Sequence, residues 1–227
     1  MRKLIYPELC RICLRVPPQP DIGVCEECNE DLPRIAAPHC NLCGGTIDSV
    51  LDVCTECVRQ SRPWEHGTTV FDFGGLARFV VHQLKYRGNV SLSPFLARAA
   101  WDRWMVSHGT GPIDVVTAVP LHWLRKARRG YNQVELVARE FCVLADLPYR
   151  DLLKRWRWTR PQSRLSSIER RRNLKKAFAI SSRFNLANKR VLLIDDVLTT
   201  GSTLAVCSEK LLEAGAASVD IMTVARG

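Results

Sequence analysis

The chain has 227 residues, 46% of them hydrophobic, and a formal net charge of +10. That is enough apolar material for a buried core and excludes wholesale disorder. No apolar run approaches the length of a membrane span, and the opening MRKLIYPELC lacks a signal-peptide core. The expectation is therefore a cytoplasmic protein with reduced thiols and no membrane insertion. The charge is uneven. Residues 1–66 carry 7 basic and 10 acidic groups, whereas residues 121–190 carry 19 basic and 5 acidic. An arginine-dense block of this kind suits an anionic partner, either phosphate or nucleic acid.

Eight of the ten cysteines fall in the first 57 residues as four C-x-x-C pairs: Cys10/Cys13, Cys25/Cys28, Cys40/Cys43 and Cys54/Cys57. The gaps between pairs are 11, 11 and 10 residues, which gives the segment the look of a repeated unit. A piece of about 62 residues with few apolar periodic runs cannot bury enough surface to fold unaided. A two-residue gap lets one tight turn present two thiolates to one ion, and four thiolates close a tetrahedral zinc site. Four pairs therefore predict two structural zinc ions. Sequential pairing, with the first four cysteines on one ion and the last four on the other, is the simplest; interleaved pairing would need the loops to cross. His39 reads as a loop residue, and Cys142 and Cys207 as core thiols on helices.

After Pro63 the pattern changes, so residues 1–62 and 63–227 are expected to be separate units. TVFDFG (69–74) alternates as a strand does, and LARFVVHQLKYRG (76–88) suits an amphipathic helix stopped by glycine. A second helix follows Pro94. DVVTAVP (114–120) reads as a buried parallel strand. Val134, Val137, Ala138, Phe141 and Ala145 mark one face of a helix over 132–147. Residues 154–176 are basic, with little apolar periodicity, and read as a long loop. A strand at 190–195, a helix over about 202–214 stopped by Gly215, and a strand at 218–225 complete the series. Strands alternating with helices predict an α/β domain with a mostly parallel sheet. Trp101, Trp104 and Trp123 read as core.

The stretch VLLIDDVLTTGST (191–203) carries the chemistry. Ligands of an open α/β sheet bind beyond the carboxyl ends of its strands, and Asp195 and Asp196 stand at such an end. The hydroxyl-rich TTGST after them supplies backbone N–H groups and a helix N-terminus, which together make a phosphate cradle. Two carboxylates beside that cradle suit sugar hydroxyls or a divalent cation. A helix-capping turn alone would explain Thr200 or Ser202 but not two aspartates on a buried strand. There is no Gly-Lys-Ser/Thr and no G-x-G-x-x-G, which excludes the common nucleotide-binding loops.

The same thirteen residues resemble the phosphoribosyl pyrophosphate (PRPP) signature of type I phosphoribosyltransferases. LKYRG (84–88), VPLHWLRKARRGYNQ (119–133), the sparse pattern Thr159, Gln162, Leu165, Arg170, Asn173 and Phe178, and the paired-ribbon N-terminus resemble the ComF/GntX family. The resemblance implies a type I phosphoribosyltransferase-like parallel sheet flanked by helices, with a small N-terminal zinc-ribbon domain. It implies that Asp195 and Asp196 meet the ribose hydroxyls, directly or through Mg²⁺, and that Thr199, Thr200, Gly201, Ser202 and Thr203 hold the 5′-phosphate. Leu121 and His122 would lie in the pyrophosphate-binding turn, followed by Arg125, Arg129 and Gln133. Residues 154–176, with Thr159, Gln162, Arg170 and Asn173, would be the flexible loop that closes over PRPP. One departure is informative: purine-salvage members have an acid three places after the second aspartate, where this chain has Thr199. Oxopurine salvage is accordingly disfavoured.

Two functions follow from the resemblance and the charge. One is a Mg²⁺-dependent phosphoribosyltransferase of unnamed acceptor, associated with DNA uptake. The other is a non-catalytic PRPP- or nucleotide-binding module that contacts single-stranded DNA, or competence or helicase-type partner proteins. For the second, Arg155, Trp156, Arg157 and Trp158 offer interleaved cations and indoles as a stacking platform; the same run also suits a tryptophan packing the base of the loop with arginines facing water.

Overall fold

The computed structural model describes residues 8–48, 51–108, 112–156, 174–181 and 184–227. Short helices α1 (Glu26–Glu30) and α2 (Thr55–Arg59) each begin just after a cysteine of a C-x-x-C pair. The elements that follow are β1 (Gly67–Asp72), α3 (Gly75–Tyr86), a 3₁₀ turn (Val90–Leu92), α4 (Ser93–His108) and β2 (Val115–Ala118). After them come α5 (Trp123–Arg129), α6 (Gln133–Ala145), β3 (Leu153–Arg155), β4 (Phe178–Ile180), β5 (Arg190–Leu198), α7 (Ser202–Glu213) and β6 (Ser218–Arg226).

Four strands form a parallel sheet in the order β1-β6-β5-β2. Val191 to Ile194 form an unbroken apolar run because β5 is central and buried on both faces. Its side chains alternate between two cores. Leu192 and Ile194 join Val116, Ala118, Met222 and Val224 against α3, α4 and α6. Val191 and Leu193 join Val115, Val219 and Ile221 against α7. Val134, Val137, Ala138 and Phe141 of the expected α6 face are buried and Ala145 partly so, and Cys142 and Cys207 are buried thiols.

The two ribbons are divided between these cores. Cys10, Cys25 and Cys28 pack with the α3/α4 side, where Arg11 also donates to the carbonyl of Ser91. Cys40, Cys43 and Cys57 pack with the α7 side. The segment between the ribbons runs along the outer edge of β1: Arg34 forms an antiparallel bridge with Phe71, the Ile35 N–H donates to the Val70 carbonyl, and the Asp72 N–H donates to the Pro33 carbonyl. Close approach fixes the second ribbon. Gly44 has φ +71°, and a Cβ there would lie 2.2 Å from the Thr69 nitrogen.

Three features depart from the sequence reading. The basic segment expected as loop from 154 begins inside β3, which pairs antiparallel with β4, Leu153 opposite Ile180. Helix α5 was not anticipated, and Trp123 at its start is 61% exposed rather than in the core. The expectations for Thr159, Gln162, Leu165, Arg170 and Asn173 are a separate matter, since these positions lie outside the described residues.

Candidate functional site

Strand β5 continues through both aspartates to Leu198, so the acids stand near its carboxyl end, with Asp195 in register with Thr223 of β6. Asp195, Asp196 and Gln133 share with Val81, Leu84, Val134 and Ile194 the lining of a small, mostly apolar cavity of about 10 Å³. It has room for one water at most. Burial in this setting, with Asp196 adjacent, pushes the Asp195 carboxyl up to about 8, against the opposing pull of the Asp196 N–H, Lys85 and Arg155. Asp195 Oδ1 accepts that N–H at 2.8 Å.

Asp196 is held on both oxygens. Lys85 Nζ of α3 lies 2.8 Å from Oδ1, and Gln133 Nε2 of α6 donates to Oδ2 at 2.5 Å. Gln133 in turn accepts from Arg129 at the end of α5, whose guanidinium lies over the Tyr86 ring at 5.3 Å. The neighbouring residues pin the same segment. The Tyr131 hydroxyl donates to the Leu84 carbonyl at 2.5 Å, and Asn132 Nδ2 donates to the Val119 carbonyl at 3.1 Å while its Oδ1 caps α6. The stretches LKYRG and RGYNQ, 45 positions apart by their first residues (84 and 129), therefore meet around one carboxylate. Lys85 was absent from the expected site residues; its presence in LKYRG was the available signal.

The loop after β5 turns at Gly201, which has φ +73°, a conformation glycine adopts without penalty. Thr199 and Thr200 are exposed, the Thr200 and Ser202 hydroxyls lie 3.0 Å apart, and the 12-residue α7 starts at Ser202. Backbone N–H groups at the start of such a helix favour an anion. On the other side of the site, His122 caps α5 by accepting the Leu124 N–H on Nδ1 and forms a parallel bridge with Arg155. It is 3% exposed, and burial together with the nearby positive charges of Arg155 and Arg125 lowers its pKa, favouring neutral imidazole. Leu121 is half-buried and Arg125 exposed.

Beyond β3, Trp156 is 56% exposed, while Arg155 lies over the Phe178 ring at 5.1 Å. For Trp156 and Arg155 this is the opposite of the reading in which the tryptophan packs and the arginines face water; Arg157 and Trp158 of the same run lie outside the described residues. Trp156, Phe178, Lys175, Lys176 and Lys210 border an open groove of about 430 Å³. Lys175 and Lys210 are paired with Glu209 and Glu213.

Each cysteine quartet, Cys10/Cys13/Cys25/Cys28 and Cys40/Cys43/Cys54/Cys57, has its sulfurs within 4.8 Å of one another, which is the sequential pairing. The Cys13–Cys25 and Cys43–Cys54 sulfur separations are 3.9 and 3.8 Å. Tetrahedral zinc with Zn–S near 2.3 Å requires edges of about 3.8 Å. Backbone N–H groups of Ile12 and Cys25 point at Cys10 Sγ, and that of Cys54 at Cys40 Sγ, as thiolates demand. Arg226 adds its guanidinium, with Nη1 2.7 Å from Cys43 Sγ. Both clusters fit a zinc ion with no open coordination position.

Residues 124–227 match the family model of the phosphoribosyl transferase domain, and residues 1–58 that of the double zinc ribbon domain. The molecule is thus a phosphoribosyltransferase-like α/β unit of type I joined to paired zinc ribbons. It is 31% identical over 227 residues to the DNA utilization protein YhgH of Salmonella typhi, covering 98% of this chain and 99% of that one. It is 29% identical over 209 residues to competence protein F of Haemophilus influenzae (90% of each chain) and 28% identical over 223 residues to competence protein ComFC of Bacillus subtilis (92% and 86%). The chain belongs to the ComF/GntX family, that of competence protein F. Similar solved structures include an adenine phosphoribosyltransferase (13% identity, TM-score 0.41, 60% of this chain and 71% of that one). Another is the B. subtilis glutamine PRPP amidotransferase (21%, TM-score 0.38), of which this chain spans 26% and by which 62% of this chain is covered. Among the described residues no helix is long and apolar enough to cross a membrane.

Proposed function

We propose that the protein binds PRPP and transfers its phosphoribosyl group, with Mg²⁺, to an acceptor, and that it serves DNA uptake; its relatives are named for competence and for DNA utilization. The observation that carries this reading is the adjacency of Asp195 and Asp196, at the carboxyl end of β5, to the Gly201 turn and the start of α7. Residues 63–227 would form the transferase unit and residues 1–62 the ribbon unit.

In this reading the loop from Thr199 to Thr203 receives the 5′-phosphate, and Asp195 and Asp196 face the ribose hydroxyls. Gln133 and Arg129 orient Asp196, because both already bond in series toward it. Leu121, His122 and Arg125 would border the pyrophosphate; neutral His122 orients the turn through its cap rather than adding charge. Thr159, Gln162, Arg170 and Asn173 would belong to the closing loop. Oxygen ligands suit magnesium, and one carboxylate suffices when substrate phosphates supply the rest; Asp196 would supply it by exchanging Lys85 or Gln133 for the ion, since both its oxygens are already bonded. When bound, the ion would offset charge on the departing pyrophosphate. The chain's own part is to hold the ribose, exclude water over the apolar floor and fix cations around the diphosphate.

Heat denaturation with PRPP and Mg²⁺ tests the premise. A rise in melting temperature for the native protein, absent in Asp195→Asn/Asp196→Asn, is expected; no rise in the native protein overturns it. PRPP loss stimulated by a base or amine then identifies the transfer. One observation favours the second reading, a module contacting single-stranded DNA: the groove bordered by exposed Trp156 and by Lys175, Lys176 and Lys210. Salt-dependent DNA binding that survives the double aspartate variant but is lost in Trp156→Ala would select it.

A further inference from the structure

The second zinc ribbon and the turn that ends β5 are joined by two guanidinium groups. Arg62 leaves the ribbon just after α2, stacks over the Trp64 ring at 5.3 Å and donates from Nη1 to the Thr200 carbonyl at 2.9 Å. The same guanidinium also interacts with Cys57 and favours its thiolate, against the upward pull of Cys40 and of burial on that group. Trp64 is itself fixed, its Nε1 donating at 2.5 Å to the carbonyl of Leu42, which lies between Cys40 and Cys43. The fit at the turn leaves no spare room: a Cβ on Gly201 would lie 2.6 Å from Arg62 Nη1. Arg226 makes a parallel link. It reaches Cys43 and Cys54 with its guanidinium, and its backbone stands in register with Leu198, the last residue of β5.

A four-thiolate zinc centre keeps net negative charge, so arginines gather on it, and Arg62 spans from that charge to a loop carbonyl. Among the described residues, Arg62 is the side chain that bonds the Thr200 backbone from outside its own turn. We infer that Arg62 is a positioning residue: it sets the shape of the 199–203 loop from the second cysteine cluster, so that the cluster's integrity governs phosphate binding at a loop to which it contributes no ligand. The inference rests on the PRPP reading for its effect on binding, but not for its effect on the empty loop.

Arg62→Met keeps the stem that packs on Trp64 and removes the donors; Arg62→Lys restores a charge. Amide hydrogen exchange in ligand-free, zinc-loaded protein, with two zinc ions verified by native mass spectrometry, reads the loop directly. Arg62→Met is expected to speed exchange over 199–203 and to weaken PRPP binding about tenfold, the effect of losing one charge-assisted hydrogen bond. Arg62→Lys should recover part of both. Unchanged exchange overturns the inference, even if PRPP binding falls, since a direct phosphate ligand would behave that way. If the native protein does not bind PRPP at all, the functional reading fails while the exchange result still decides the role of Arg62.

Discussion

For Asp195 to ionise, a proton must leave a place where water is scarce and a second carboxylate stands next door. Its pKa is raised from 3.8 to about 8, first by burial and then by Asp196. Below about pH 4 the folded and unfolded chains both hold this proton. Between there and about pH 8 only the folded chain keeps it, so this group's contribution to stability declines as pH rises and is lost above about 8. Asp195→Asn should therefore melt higher than the native protein at pH 9, with a difference that shrinks to nothing near pH 4. A difference independent of pH would contradict the assignment. The Lys85 pair is the counterweight. Both partners are mostly buried, with 21% and 13% of their side-chain surface exposed. Lys85→Met leaves Asp196 without its cation and should cost about 2 kcal/mol in denaturant unfolding at pH 8. It should also move the Asp195 titration higher, since Lys85 opposes that shift.

At the scale of elements, close backbone approach is what binds ribbon to sheet. Gly44 combines φ +71° with a Cβ position 2.2 Å from the Thr69 nitrogen. Gly44→Ala should destabilise the protein by at least about 2 kcal/mol, measured by the denaturant midpoint, because strain and collision add. Gly74→Ala, whose Cβ would meet nothing within 4 Å, is the control. Strands and helices with strong periodicity were legible in the sequence: β5 through its apolar run, α3 and α6 through their buried stripes. Helix α5 was not, because WLRKARR buries no residue; its ends are made by the His122 cap and Gly130 in the left-handed region. Nor were β3 and β4, each three residues long, since strand character there comes from pairing Leu153 with Ile180 rather than from composition. The aspartates and the cysteine quartets were readable because their residue types and spacing are themselves the chemistry. Lys85 was not singled out, because a lysine on an amphipathic helix looks like any solvated charge until Asp196 is brought beside it.

Over the whole molecule, the sheet is gripped from both sides by one short N-terminal segment. One cysteine quartet joins the α3/α4 core and the other the α7 core. Removing both zinc ions should therefore loosen the entire fold rather than free a flexible tail. A chelator that strips two ions, counted by mass, should lower the melting temperature by at least about 10 °C. An unchanged transition after complete removal would show that the clusters carry no folding energy.

The strip over 33–35 that runs beside Phe71 has one more consequence. It supplies backbone partners to the outermost strand of the sheet, a row of donors and acceptors that would otherwise invite pairing between molecules. A version of the protein cut at residue 63 would lose this cover along with its metal sites. Its characteristic failure would then be self-association through β1, a matter of colloidal behaviour and concentration as much as of chemistry at Asp195 and Asp196.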